Sequence, residues 1–157
     1  MNESEAPQSP DDEAHLRRAL ELAAAAAACG EVPIGAVLVS GDLRLEAKNE
    51  KESRPDATAH AEMLLIRQAC ETLGVWRLSE ATLYVTKEPC VMCAGALLNA
   101  RVARLVIGTL DDKAGAVGSR YHVLADPRLL HEVPVTYDVR AAESAALLGE
   151  FFRARRM

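Results

Sequence analysis

The sequence predicts an α/β protein, a three-layer α/β/α sandwich around a five-stranded mixed sheet. Three observations predict it. Short β-branched or alternating runs recur between helical stretches in the order αββαβαβ(α)βα, which is the pattern of layered helices on one sheet. The chain has 157 residues, half of them hydrophobic, enough for a single domain with one substantial core. Gly, Pro and Asp punctuate the runs at short intervals, and no internal repeat is present.

Each element has a local reason. Residues 1–10 are polar, contain Pro7 and Pro10, and read as a disordered acidic tail ahead of a domain over 11–157. Residues 11–29 carry the run from Ala23 to Ala28 and predict a helix, with Asp11 or Asp12 as cap and Gly30 as stop. Residues 34–40 are apolar and β-branched, Gly41 and Asp42 turn, and residues 43–48 alternate, which together make a hairpin. A loop over 49–57 contains Pro55, and a second helix runs over 58–73 to Gly74. Residues 81–86 form a short buried strand leading into Pro89, followed by a helix over 90–99 whose Ala94, Gly95 and Ala96 permit close packing. Residues 104–109 predict a fourth strand, and residues 111–119 (DDKAGAVGS) a glycine-rich loop. A helical piece is expected near 121–125, a fifth strand over 133–137, and a last helix over 141–153 with Leu147, Leu148, Phe151 and Phe152 on its apolar side.

Composition bounds the function. The formal charge of −5 is carried by Glu3, Glu5, Asp11, Asp12 and Glu13, and the rest of the chain is close to neutral. Net charge therefore says nothing for or against a nucleic-acid partner; the placement of Arg153, Arg155 and Arg156 matters instead. No apolar run approaches the roughly 20 residues that cross a bilayer, and the acidic N-terminus is unlike a signal peptide. Cytoplasmic location without membrane contact is expected, and in that setting four cysteines read as metal ligands or core residues rather than disulfides.

The chemistry is concentrated in His60-Ala61-Glu62 and Pro89-Cys90-Val91-Met92-Cys93, each expected in the first turn of a helix. His, Cys and Cys are zinc ligand types, and cysteines three apart share one helical face. Three protein ligands leave a fourth tetrahedral position open, as in catalytic zinc sites. His60 and Glu62, two apart, could not share a target beside a helix, but they can share one beyond its N-terminal end. The partial positive charge at such ends favours thiolate. Glu62 is then a carboxylate close to the metal and free to move protons. A thioredoxin-like redox pair would leave His60 and Glu62 unexplained, and a structural zinc would need Cys29, at the end of the alanine-rich helix, or Cys70, mid-helix with core spacing, both of which read as small buried hydrophobes. A lone histidine or a basic chain end has everyday structural uses as well, so a non-enzymatic zinc or redox module stays open beside the enzyme.

The sequence resembles bacterial tRNA-specific adenosine deaminases of the zinc-dependent cytidine/deoxycytidylate deaminase superfamily. The resemblance runs from about Glu31 to Met157. It is carried by VPIGAVLV at 32–39, Asn49, TAHAEM at 58–63, ATLYVTKEPCVMCAGALLNARVARLVIG at 81–108, DDKAGAVGS at 111–119 and EFFRARR at 150–156. The resemblance implies a cytidine deaminase-like fold, with 11–157 a single zinc deaminase domain. It implies that His60, Cys90 and Cys93 bind one Zn2+ per subunit, that Glu62 shuttles protons, and that Asn49 contacts the target nucleotide. Asp111 and Lys113 would line the RNA entrance, with Arg153, Arg155 and Arg156 as RNA contacts in the tail. The expected reaction is hydrolytic deamination of adenosine to inosine at wobble position 34 of a tRNA anticodon loop, by a homodimer. The alternative is a deaminase of a free base or nucleoside of the guanine or cytosine type. Glu50, Ala57, Lys87 and Leu110 depart from the family's usual residues.

Overall fold

A computed structural model describes residues 5–129 and 131–156. Among them are four helices, α1 Asp12–Ala28, α2 Ala61–Leu73, α3 Val91–Asn99 and α4 Ala141–Arg155, and five strands, β1 Gly35–Ser40, β2 Leu43–Lys48, β3 Thr82–Lys87, β4 Arg104–Thr109 and β5 Val135–Thr136. The strands form one sheet in the order β2-β1-β3-β4-β5. β1 runs antiparallel to β2 and β3, while β3, β4 and β5 are parallel, so the sheet is mixed as expected.

The hairpin closes as the sequence predicts. Ser40 pairs with Leu43 across Gly41 and Asp42, and Gly41 takes φ 59°, a value that costs a glycine little. Alternation along the central strands then sorts the core into two layers. Ala36, Leu38, Leu83, Val85, Leu105 and Ile107 pack toward α2 and α3. Val37, Tyr84 and Val106 pack against Leu16 and Ala19 of α1 on the other face. α1 lies so close that a Cβ on Gly35 would strike the Ala19 carbonyl, and α4 likewise closes on Gly108 through Ser144.

An ion pair pins α1 to the sheet. Asp12 is fully buried and receives Arg104 Nη1 at 2.9 Å and Nη2 at 2.7 Å, with Ser9 N at 2.8 Å. Arg104 also donates to Thr136 Oγ1 at 3.0 Å and lies over the Tyr84 ring. Burial alone would raise the Asp12 carboxyl, but the Arg104 and Ser9 hydrogen bonds hold it below its ordinary value.

Four features differ from expectation. Ala6 N donates to Val135 O at 2.8 Å, Thr136 Oγ1 donates to Ala6 O, and Glu5 bridges Val135, so residues 5–7 lie along β5 and Ser9 bonds to Asp12, rather than forming a free tail; residues 1–4 fall outside the described residues. The stretch 121–125 is turns, not helix, because its backbone N–H groups find tertiary partners: Val123 N donates to Ala116 O at 3.0 Å. β5 shrinks to two residues between Pro134, which has no N–H, and Asp138 at φ 60°. The apolar side of α4 is only partly covered; Ser144 is its one buried residue and Phe152 stays 43% exposed.

Candidate active site

β3 and the loop after β2 deliver two helix N-termini to one point. His60 and Cys90 were expected in first turns, but both are N-cap residues with extended backbones, His60 at φ −73°, ψ 149° and Cys90 at φ −76°, ψ 178°. An extended cap aims its side chain past the helix end, which is how His60 and Glu62 reach a common target. Cys93 joins from the first turn of α3. His60 Nδ1 lies 3.6 Å from Cys90 Sγ and 3.4 Å from Cys93 Sγ, and the three ligand atoms are all within 4.8 Å of one another.

The charges around this trio are tightly linked. Hydrogen bonding from Cys93, and then His60, depresses the Cys90 thiol against the pull of burial. Cys93 is pushed up by Cys90 and by its own burial. The Cys90 hydrogen bond raises His60. A cation bound at this point requires the remaining protons to leave. Glu62, 4% exposed on the first turn of α2, has its carboxyl raised by burial, and its Oε1 has no hydrogen-bond partner among the described residues. One imidazole and two sulfurs suit zinc, and a buried carboxylate oxygen left unpaired beside them is what a water or substrate at the metal would satisfy. The residues present fit the ion.

Asn49 is nearly buried, and its Oδ1 accepts the Ala61 N–H at 3.0 Å, capping α2 from twelve residues upstream. That leaves its amide N–H2 group for a ligand. The loop behind Asn49 is held by Glu31, a buried carboxylate that accepts from Glu52 N at 3.0 Å and Ser53 N at 2.7 Å. Glu50 is ion-paired with Arg54.

Glu88 plays the matching part for the glycine-rich loop. Its carboxylate is 2% exposed and accepts from Asp111 N, Val117 N, Gly118 N, Ser119 N and the Ser119 hydroxyl. Burial alone would raise it, but the Asp111 N–H, the Ser119 hydroxyl and other loop N–H groups draw it below its ordinary value. Sequence reasoning missed Glu31 and Glu88 as anchors. The available signal was an acid bordering each buried apolar run, VPIGAVLV and TLYVTK, where an unpaired charge would be costly.

The expected RNA contacts divide. Asp111 is engaged by Lys87 at 2.9 Å and by the Lys113 and Ala114 N–H groups, while Lys113 remains exposed. A groove of about 770 Å³ runs from Lys87 and residues 109–114 to Phe152 and Arg155 of α4 and Arg156 just beyond its end. Arg155 donates to Gly30 O at 2.6 Å and covers the Phe151 ring, which ties the end of α4 to the end of α1. Arg153 bonds back to Gly149 O and does not line the groove. His60, Cys90 and Cys93 lie outside its lining.

A three-layer sandwich with His, Cys and Cys gathered at two helix N-termini around a buried glutamate defines a deaminase of the metal-dependent nucleobase class. The model of the MafB19-like deaminase family matches residues 10–156. The tRNA-specific adenosine deaminase of Haemophilus influenzae is 46% identical over 151 residues, 95% of this chain and 87% of that protein. That of Bacillus subtilis is 45% identical over 92% of this chain and 91% of its own. A structure from a study of A-to-I editing by tRNA:A34 deaminases at the wobble position of transfer RNA superposes with TM-score 0.82 at 43% identity, covering 86% of this chain and 99% of that one. A guanine deaminase from Nitrosomonas europaea superposes with TM-score 0.77 at 27% identity, over 91% and 84%. The chain belongs to the tRNA-specific adenosine deaminase family of deaminases.

Proposed function

We propose that the protein hydrolytically deaminates adenosine to inosine at wobble position 34 of a tRNA anticodon. The observation that carries this reading is buried Glu62, whose Oε1 has no hydrogen-bond partner among the described residues, beside the His60, Cys90 and Cys93 ligand atoms, in a chain of this family. His60 Nδ1 and the two sulfurs would hold one zinc per chain, and zinc when bound supplies the Lewis acidity that makes water a nucleophile near neutral pH. Glu62 takes a proton from the attacking water and delivers it to N1 of adenine as C6 is attacked. It then takes the proton of the new C6 hydroxyl and hands it to the departing amine, so that the C6–N bond breaks, ammonia leaves, C6 becomes a carbonyl and hypoxanthine remains on the ribose. The Asn49 amide N–H2 group orients the nucleotide, and its own position is set by the bond to Ala61 N.

The substrate adenine must leave any stack to reach a site set at the ends of two helices, and an unpaired anticodon loop offers it at low cost. Lys113, Arg155 and Arg156 border one groove suited to the RNA backbone, with Asp111 shaping the loop. A cytoplasmic homodimer belongs to the same reading. α3 supports it, since Val91–Asn99 carries no charged side chain and Val91 is exposed. No helix among the described residues is long and apolar enough to cross a membrane. The deciding experiment incubates the protein with unmodified tRNA transcripts and, separately, with adenosine, cytidine and guanine, then maps inosine and measures ammonia. Inosine at position 34 with poor turnover of the small molecules is expected. Rapid ammonia release from guanine with no inosine in any tRNA would move the protein to the free-base class.

A further inference from the structure

We propose that Glu88 is a positioning residue that ties the glycine-rich loop, residues 111–119, to the Cys90–Cys93 half-site and so sets how tightly the anticodon is received, the second part resting on the substrate reading above. Five donors converge on its two oxygens. Asp111 N, at 3.0 Å, and the Ser119 hydroxyl reach Oε1, while Val117 N, Gly118 N and Ser119 N reach Oε2 at 3.0, 2.9 and 3.0 Å. An ionised carboxylate can accept on both oxygens; the amide of a glutamine has one accepting oxygen and would turn N–H2 toward backbone N–H groups. The loop is packed onto this anchor, because a Cβ on Gly115 would strike the Glu88 carboxylate.

The backbone on either side of Glu88 joins the loop to the half-site. Glu88 N donates to Thr109 O at 2.8 Å, and Pro89 O accepts Ala116 N at 2.9 Å, one residue before Cys90. Lys87, the preceding residue, is the ion-pair partner of Asp111. Residues 87–89 therefore grip the loop at 109, 111 and 116–119, and Lys113 rides on the part held between. None of His60, Glu62, Cys90 and Cys93 is among the described donors to the Glu88 carboxylate.

The test compares the wild-type protein with Glu88→Gln, Ser119→Ala and Gly115→Ala. Ser119→Ala removes one bond, and Gly115→Ala pushes the loop off the anchor while leaving Glu88 in place, so the test survives if Glu88→Gln fails to fold. Four quantities are read: zinc per chain, amide exchange at Val117, Gly118 and Ser119, and KM and kcat on an anticodon stem-loop. For Glu88→Gln and Gly115→Ala, exchange at the three amides should quicken and KM should rise by about ten-fold or more, the scale of one buried hydrogen bond removed. Zinc content should stay near one and kcat should change much less than KM. Ser119→Ala should move the same quantities in the same direction by less. Unchanged exchange in Glu88→Gln overturns the proposal, as does loss of zinc with the loop still protected, which would place the action of Glu88 on the metal. A wild-type protein that makes no inosine in any stem-loop defeats the substrate reading alone, and the exchange data still decide whether Glu88 holds the loop.

Discussion

Replacing Asp12 with alanine removes the carboxylate that joins α1, β4 and the N-terminal segment. Asp12 is fully buried and takes two charge-assisted bonds from Arg104 and two bonds from Ser9. Breaking a buried pair by deleting one partner typically costs about 3–5 kcal/mol, because the other charge is left uncompensated. Arg104 keeps Thr136 and Tyr84 as partners and 20% of its side-chain surface in solvent, which places the loss near the lower end, at about 3 kcal/mol. For a chain of this length that corresponds to a fall in Tm of roughly 6–12 °C. Asp12→Asn keeps the shape but loses the charge, and should fall between wild type and Asp12→Ala. The pH dependence carries a definite sign. The Asp12 carboxyl sits below its ordinary value of 3.8 in the fold, so its contribution is fully present above that value and is lost as pH falls through the lower, folded-state pKa. Urea unfolding at pH 7 and at pH 3 measures both effects. A loss below ~1 kcal/mol for Asp12→Ala at pH 7, or one that stays constant into acid, would refute the idea that this pair fastens α1.

Three further outcomes are expected. The purified protein should hold about one zinc per chain, and Cys93→Ala should lose both metal and stability, so full occupancy by elemental analysis in that variant would remove Cys93 from the ligand set. Glu62→Gln should retain zinc and lose at least ~10²-fold in turnover, the lower range for general acid–base catalysis; a zinc-free variant would redraw Glu62 as a ligand. Lys113→Ala and Arg156→Ala should each flatten the salt dependence of anticodon binding, by roughly 0.7 in the logarithmic slope for each phosphate no longer neutralised, with folding unaffected. Arg155→Ala should also lower Tm through its bond to Gly30 O, and equal salt slopes in all three variants and the wild type would return these cations to a purely structural role.

Local elements and the inventory of the site are legible in the residues alone. Near-continuous apolar runs in VPIGAVLV and ATLYVT mark strands whose two faces are both covered, and Gly41, Gly74 and Pro89 mark where elements turn or begin. Ligand types and their spacing are enough to single out His60, Cys90 and Cys93, because coordination chemistry accepts few residue types and the start of a helix allows few spacings. What those residues face is settled only when the chain is folded. Folding sets the strand order β2-β1-β3-β4-β5, moves His60 and Cys90 from the first turn to extended caps, and gives Asn49 the Ala61 N–H. It also draws Ala6 to β5, dissolves the expected helix near 121–125 and turns Arg155 back onto α1. One cause underlies these cases. Periodicity and turn chemistry report burial and backbone angles within a few residues, whereas a buried polar group must find its partner wherever the fold places one. Glu31 reaches 21 residues along the chain for Glu52, Glu88 reaches 31 for Ser119, and Asp12 reaches 92 for Arg104.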